Sequence, residues 1–357
     1  MSIWDWIYDD YHNAYQSQDQ GRMDLLDRYR AASPLFQSDP DQALALLTEG
    51  RYAAEQMNAP WFVLFYDHWR LQVLIHHKRD YVASMDLAIR ATVAARKPSF
   101  ADFPQRLCLH EDLINTYAGT DPTGYADAIE KALDYMQSEV GPDAECRFCL
   151  QGLRADFYRD TGRLDEAQQI VSRHIAHCEA ERNYHHLCEA YLSQCHLSFQ
   201  RGDLDTLLEA AKEGETTARR ENKRRVMAEH IAWQAFVSRR HGKNAEAKRL
   251  LRLATNVQSR MGSLPENGYY DAICAFYIAD EDYEAALKMR GKQLEQLEGK
   301  GQIFLQFQAR LERGRLLARM GLPFEEEREA ARLVARQMLK PDSAMKQLND
   351  LDAASTG

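Results

Sequence analysis

Apolar residues recur along most of the chain with the three- and four-residue spacing of amphipathic helices. Leu150, Leu153 and Phe157, for example, share one helical face. A turn containing Gly162 follows, and Ala167 begins a second apolar stripe. Alternating apolar and polar positions do not extend beyond four or five residues, so no strand is predicted. The pattern predicts an all-α protein made of paired helices.

The same short turn recurs at near-equal intervals, and an apolar helical stripe follows it each time. It is clearest at "TGRLDEAQQIV" (161–171), "RGDLDTLLEAA" (201–211) and "DEDYEAALKM" (280–289). The residue that opens the helix after each turn recurs every 39 to 44 residues, at Ala43, Ser84, Ala128, Ala167, Leu207, Ala247, Ala286 and Glu326. Such spacing is typical of a repeat protein in which each helix pair packs on the next.

The turns themselves have a consistent chemistry. A small residue after the turn lets two antiparallel helices approach closely, and carboxylates such as Asp165 and Glu166 suit the positive end of the second helix. Glycines that can adopt the positive φ needed to end the first helix stand at Gly162, Gly202, Gly242 and Gly321. Ser84, Leu207 and Glu326 depart from the small alanine.

These features resemble the tetratricopeptide repeat (TPR) family over about residues 20–340, most clearly at "GRLDEA", "GDLDTL" and "EDYEAA". The resemblance implies an α-solenoid, a right-handed superhelix of about eight helix–turn–helix repeats. The period here is near 40 residues rather than about 34, which implies longer helices. A HEAT-like array, with units of similar length, is the structural alternative.

The ends of the chain read differently from its middle. We expect a capping helix within residues 1–20, the solenoid at 21–340, and a C-terminal cap with a frayed tail at 341–357. The tail "LNDLDAASTG" is small and polar at its end.

The N-terminal helix is predicted at 3–17. Trp4, Ile7, Tyr11 and Ala14 form one apolar stripe along it, which would cover the first repeat.

Motifs and composition argue against catalysis and against a membrane. The chain has no P-loop, no dinucleotide glycine fingerprint, no G-x-S-x-G and no H-E-x-x-H. No run approaches the roughly 20 apolar residues of a spanning helix, and the acidic, aromatic N-terminus does not read as a signal peptide. Seven scattered cysteines indicate a reducing, cytoplasmic setting. We expect no enzyme activity, no cofactor and no membrane partner.

A group of Cys and His residues between 146 and 196 raises the question of a metal. Cys146 and Cys149 form a Cys-x-x-Cys pair, and His186 and Cys188 would lie on the next first helix. Zinc uses such ligands, but a single Cys-x-x-Cys on a helix also fits buried thiols, as expected for Cys195. We expect no metal and keep zinc as the alternative.

Charge is uneven along the chain. Residues 1–60 carry ten acidic and four basic side chains, whereas 212–252 carry twelve basic and five acidic ones. The basic run "RRENKRR" (219–225) lies at a junction between repeats. A net charge of −9 disfavours nucleic acid. An acidic protein partner, or the acidic end of a second copy in a homo-oligomer, is the better match for the patch.

Aromatic residues are dense at Trp61, Phe62, Phe65, Tyr66 and Trp69. Their helical spacing predicts that most of them pack between repeats. Tyr66 or Trp69 is the candidate to stack against a ligand.

The TPR resemblance implies that first helices line a concave groove. Counting back from the turn glycines places Asp160 and Gln200 in this groove beside the expected partner-binding residues, which are Asp156, Arg159, His196, Phe199, Phe236, Arg239, Arg240, Arg315 and Arg319. Arginine binds carboxylates bidentately, so an acidic segment of a partner is expected. The alternative is that these arginines pair with carboxylates of adjacent helices.

The predicted function is therefore a non-catalytic scaffold or adaptor that binds a peptide or helical segment of another protein. A peptide- or effector-sensing regulator is the alternative.

Overall fold

The computed structural model describes residues 3–141, 144–261 and 265–355, with side chains described as far as Asp350. Nineteen α-helices and no strand occur in these residues, which confirms the all-α prediction. None of the helices in the described ranges is long and apolar enough to cross a membrane. The chain forms two compact units, which are described in turn.

The first unit comprises residues Met1–Thr120, Tyr125–Cys146 and Gly299–Gln302. Its helices are α1 (Ile3–Ser17), α2 (Gln20–Ala32), α3 (Leu35–Ser38), α4 (Pro40–Gln56), α5 (Pro60–Gln72), α6 (Tyr81–Ala95), α7 (Arg106–Thr120) and α8 (Ala126–Glu139). A π-helical turn, Val73–Lys78, extends α5, and a short 3₁₀ turn, Pro98–Phe100, precedes α7.

The second unit comprises Asp121–Gly124, Arg147–Glu298 and Ile303–Gly357. Its helices are α9 (Cys146–Asp160, whose first residue belongs to the first unit), α10 (Leu164–Ala180), α11 (Tyr184–Arg201), α12 (Leu204–Arg220), α13 (Arg224–Arg240), α14 (Asn244–Ser259), α15 (Asn267–Ala279), α16 (Tyr283–Leu297), α17 (Ile303–Arg319), α18 (Glu325–Ala335) and α19 (Asp342–Ser355). Within this unit most helices from α10 to α18 pack mainly on their neighbours in sequence, whereas α15 packs on α13 and α16.

Local sequence accounts for many of these boundaries. Side-chain carboxylates and amides accept a hydrogen bond from a backbone N–H of the first turn at Asp19, Asp39, Asp80, Asn183, Asp203 and Asp282. These caps satisfy donors that a helix start otherwise leaves without partners. The four turn glycines have φ between 67° and 79°, as predicted from their positions at the ends of first helices.

The helix that follows each turn buries a residue in its first turn. Six of the eight positions predicted from the spacing are at most 1% exposed, namely Ala43, Ser84, Ala167, Leu207, Ala247 and Ala286. The prediction is wrong by one residue in the other two helices. Ile129, not Ala128, is buried in α8, and Glu327, not Glu326, is buried in α18. Glu327 tolerates burial because Arg310 and Arg313 of α17 hold its two oxygens at 2.8 and 2.6 Å.

The N-terminal helix has the predicted limits, and most of the predicted stripe faces the core, because Ala14 is 1% exposed and Ile7 and Tyr11 pack against the core cluster. The tryptophan differs. Trp4 is 55% exposed, whereas Trp6 is 8% exposed and packs on Phe62, Phe65 and Phe103. Trp6 reaches the core because aromatic side chains of α5 surround it, and the apolar–polar pattern of α1 alone does not reveal this.

The chain remains helical near its C-terminus, where a frayed tail was predicted. Ala344 and Leu348 of α19 are buried in a cluster with residues of α17 and α18. Residues 356–357 and the side chains from 351 onward lie outside the described part of the structure, so the predicted fraying there is not addressed.

Candidate functional site

A cavity of about 380 Å³ opens in the second unit at the turn between α9 and α10. We call it the Arg159 cavity. Its walls come from the α9–α10 turn, the end of α11, one face of α17 and the start of α19. They are lined by Asp121, Thr123, Arg159, Asp160, Thr161, Gly162, Leu164, Gln200, Phe304, Phe307, Gln308, Met338, Lys340, Ser343, Ala344 and Gln347.

Among these residues, Arg159 forms ion pairs with two carboxylates. Its guanidinium lies 2.7 Å from Asp156 Oδ1 and 2.9 Å from Asp160 Oδ1. Burial disfavours the charged form of Arg159, but Asp160 and Asp156 outweigh this and raise its pKa. Burial raises the pKa of Asp160 above its ordinary value, against the opposing effect of Arg159. Arg159 is therefore a fixed cation whose donors are already largely used.

A chain of polar contacts leads from Arg159 into the neighbouring helices. Arg159 Nη1 donates to His196 Nδ1 at 3.1 Å. Because Nδ1 accepts, the proton of the neutral ring lies on Nε2, which donates to Glu229 Oε1 at 2.6 Å. Glu229 is 3% exposed. The chain thus connects α9, α11 and α13 through charge-assisted hydrogen bonds, which are stronger than neutral ones.

Gly268 of α15 makes room for this chain. A Cβ atom at this position would lie 2.0 Å from Glu229 Oε1 and 2.5 Å from His196 Nε2. These distances are too short for a real contact, so any larger residue here would force the Glu229 or His196 side chain to move.

The structure brings together only part of the predicted groove. Arg159 donates hydrogen bonds to both Asp156 and His196. Phe199 and Phe236 form a separate contact, with ring centroids 5.4 Å apart. Neither phenylalanine lines the Arg159 cavity.

The remaining arginines do not form a free row. Arg239 pairs with Asp280 and donates to Asn244, and Arg315 pairs with Glu312 of its own helix. The guanidinium of Arg319 lies 5.9 Å from the centre of the Tyr283 ring. Arg240 is exposed. The alternative of pairing with carboxylates of adjacent helices therefore describes Arg239, whereas Arg159 and Arg315 pair with carboxylates of their own helices.

Several cavity residues were not predicted as a site. Asp160 and Gln200 follow from the count back from the turn glycines, but Gln308, Lys340 and Gln347 do not. Asp121 is also part of this wall, because its Oδ2 accepts from the backbone N–H of Lys340 at 2.8 Å. No motif marks these residues, because α17 and α19 meet α9 only through the fold.

The cysteine and histidine residues that were considered as zinc ligands each contact other groups. Cys146 is in hydrogen-bond contact with Cys108 in the first unit. In the second unit, the His186 ring stacks on Phe148 at 5.4 Å, and the buried Cys188 thiol donates to the His185 carbonyl. Burial raises the pKa of Cys188 to about 11, which disfavours the thiolate that zinc requires. Across the described ranges, no three His, Cys, Asp or Glu side chains are placed to hold a metal ion.

The basic run at 219–225 is largely paired. Arg219 lies 2.6 Å from Glu215, Lys223 lies 2.6 Å from Glu189 and Arg225 lies 2.8 Å from Glu266. Arg220 lies over the ring of Tyr184. These contacts lower the charge available to an external polyanion.

Of the aromatic residues proposed to stack against a ligand, Tyr66 is excluded. It is 0% exposed, and its hydroxyl donates to the backbone carbonyl of Leu25. Trp69 is partly buried against Tyr29 and Phe36, with ring centroids 5.0 and 5.7 Å away.

The chain matches no protein-family model, and no curated protein is significantly similar to it in sequence.

Proposed function

We propose that this protein is a non-catalytic interaction protein, an α-solenoid of the TPR type with about eight helix pairs, which holds a short peptide segment of a partner protein in the Arg159 cavity. The cavity is the observation that supports this proposal. Its volume of about 380 Å³ lies at the lower end of the range of ligand sites, about 300–1,000 Å³. That space suits a few residues of a peptide rather than a whole helix.

The cavity lining offers the groups that a peptide backbone needs. The side-chain amides of Gln200, Gln308 and Gln347 make no hydrogen bond to any described residue. Each amide can both donate and accept, as the peptide group does. Phe304, which is partly exposed, adds apolar surface beside them for one side chain of the ligand.

The charged residues of the lining argue against the acidic segment expected from the sequence. Arg159 and Lys340 are balanced by Asp121 and Asp160, and Arg159 is already paired with its carboxylate neighbours. A run of carboxylates would find only Lys340 without such a pairing. We therefore propose a segment with an apolar side chain and open backbone groups rather than a strongly acidic one.

A peptide- or effector-sensing role is the second candidate, and one observation favours it. The walls come from helices as far apart in sequence as α9 and α19, so a bound ligand would link α9, α11, α17 and α19. Such links would favour one arrangement of these helices over others.

Filling the cavity tests the proposal. Ser343 is exposed and lines the cavity at the start of α19, whereas Lys346 is exposed one turn along and does not line it. We expect Ser343→Trp to abolish capture of a partner by the immobilised protein, and Lys346→Trp to preserve it. Native mass spectrometry of the purified protein would reveal a copurified short peptide, expected to be lost only in Ser343→Trp. Undiminished capture by a folded Ser343→Trp variant would contradict the assignment.

A further inference from the structure

A second cavity, of about 270 Å³, lies in the first unit. We call it the Asp10 cavity. It lies where α1, α2 and the turn before α5 meet, and it is lined by Trp6, Asp10, Arg22, Asn58, Ala59, Pro60, Trp61 and Phe62. It shares no residue with the Arg159 cavity and does not depend on the function proposed above.

Three aromatic rings form one side of this cavity. The Trp6 ring centre lies 5.0 Å from that of Phe62 and 5.8 Å from that of Trp61. The indole N–H of Trp61 donates to the Ser99 carbonyl at 3.4 Å, which restrains the ring. The faces of indole and phenyl rings carry negative electrostatic potential and attract cations.

Asp10 supplies a carboxylate among these rings. Its Oδ1 accepts from Arg22 Nη1 at 3.1 Å, while Oδ2 is buried and has no hydrogen-bond partner among the described residues. The Asp10 side chain is only 12% exposed. A buried acceptor without a donor costs free energy, so the position favours a ligand that brings an N–H group.

Arg22 does not take the place of such a ligand. It reaches one oxygen of Asp10, and its Nε lies 3.9 Å from Asp19 Oδ2, which offsets its charge. Its side chain is 45% exposed. The second oxygen of Asp10 is therefore left for another donor.

We propose that the Asp10 cavity binds a primary alkylammonium group whose N–H donates to Asp10 Oδ2. The group lies against the partly exposed Trp61 ring, beside the buried Trp6 and Phe62 rings. A quaternary ammonium would keep the attraction to the rings but lacks the N–H that Oδ2 requires. A neutral alcohol would keep a donor but lose the charge. In a protein or peptide ligand, the group is either a lysine side chain or an amino terminus.

The test uses small probes and nuclear magnetic resonance of the indole N–H signals. Nα-acetyl-lysine methylamide presents only the side-chain ammonium, and leucinamide presents only the α-ammonium, so the two probes distinguish the sources. Nα,Nε-diacetyl-lysine methylamide is the uncharged control. We expect one ammonium probe to shift the Trp6 and Trp61 signals with a Kd of about 1 mM or below, while the Trp233 signal of the second unit stays unchanged. No shift with either ammonium probe, or equal shifts with the diacetylated control, would overturn the proposal.

A matched pair of variants locates the site. Asp9 and Asp10 are neighbours on α1, but Asp9 is exposed and does not line the cavity. We expect Asp10→Asn to weaken binding about tenfold or more, as expected for loss of a hydrogen bond to a charged group, and Asp9→Asn to change it less than about twofold. Equal weakening in both variants would mean that only the general acidity of α1 attracts the probe. If Asp10→Asn does not fold, Trp61→Leu provides the same test at the ring wall.

Discussion

The two units differ in what fills the space between their helices. In the first unit the buried core contains seven aromatic residues, namely Trp6, Tyr29, Phe62, Phe65, Tyr66, Phe100 and Phe103. In the second unit the largest cluster is richer in alanine, at Ala210, Ala211, Ala228, Ala232, Ala235, Ala247, Ala254, Ala272 and Ala275, and contains four aromatic residues, Trp233, Phe236, Tyr269 and Phe276. Alanines let helices approach closely, and rings fill wider gaps.

The comparison shows that one helix-after-turn pattern accommodates two kinds of packing. The first unit relies on large apolar surfaces, whose burial stabilises a fold without a specific partner for each group. Both units also contain polar contacts: His68 Nδ1 lies 2.7 Å from Asp112 Oδ2 in the first unit, and the second unit has the partly buried chain Arg159–His196–Glu229. Each candidate site is lined by the kind of side chain that distinguishes its unit. Aromatic rings line the Asp10 cavity, and amides and paired charges line the Arg159 cavity.

The largest expected effect tests the aromatic packing of the first unit. Phe65 is 0% exposed and its ring contacts Trp6, Tyr29 and Tyr66. We expect Phe65→Ala to lower the free energy of unfolding by about 3–5 kcal/mol, because it leaves a cavity among the rings. Tyr52 is 63% exposed, and Tyr52→Ala should cost no more than about 0.5 kcal/mol. Urea denaturation with hydrogen exchange of first-unit peptides measures both, and a small cost at Phe65 would mean that the rings repack.

A smaller effect, which depends on pH, tests the polar interior of the second unit. His174 is 3% exposed, both of its ring nitrogens lack a hydrogen-bond partner among the described residues, and burial lowers its pKa to about 4. Nearby groups are His177, His186, Asp156 and Glu189. The unfolded chain binds a proton below about pH 6.5 that the folded chain does not, so stability should fall as the pH drops from about 6.5 to about 4, by about 3 kcal/mol in total.

Replacing His174 isolates this contribution. His174→Leu should remove that part of the acid destabilisation while the rest of the pH profile is retained. The measurement is the free energy of unfolding at pH 7, 6, 5 and 4 for both proteins. Parallel profiles would show that His174 accepts a proton in the folded state, which would contradict its description as a buried neutral ring.

The smallest effect sharpens the register of the paired helices. Ala167 is 1% exposed in a cluster with Ala155, Val171 and Leu197, so Ala167→Trp should cost about 1–3 kcal/mol or more by overpacking. Glu326, the position expected from the spacing in α18, is exposed. Glu326→Trp should therefore be nearly neutral, although the sequence count places both residues in the same register. Thermal melting distinguishes them, and equal losses would restore the unshifted register.

Local sequence was sufficient to predict those features of the fold that depend on short-range backbone geometry. The helices, the turn glycines and most buried positions after the turns follow from helical spacing and backbone conformation. The sequence could not show that Glu327, one residue after the expected position, is the buried residue in α18. A carboxylate is expected to be exposed unless its partners, here Arg310 and Arg313, are known. For the same reason Trp4 was preferred to Trp6, whose surroundings come from α5.

The candidate sites depend still more on contacts between distant parts of the chain. Arg159 and His196 were selected as groove residues from their positions before the turns, and they are in contact. Their polar groups were read as available to a partner, because the sequence does not show that Asp160 contacts Arg159 and Glu229 contacts His196. The wall that α19 adds to the Arg159 cavity has no local signal at all.

The hydrogen bond from Lys340 to Asp121 joins residues that are 219 positions apart in the chain. On a ribosome that adds roughly 5–20 residues per second, the two are synthesised on the order of ten to forty seconds apart. Throughout that interval the wall formed by α19 is missing, and Gln308 and Phe307 of α17 appear only near its end. The Arg159 cavity is thus completed late in synthesis, and a nascent chain with α9 and α11 already folded has no site in which to hold a ligand.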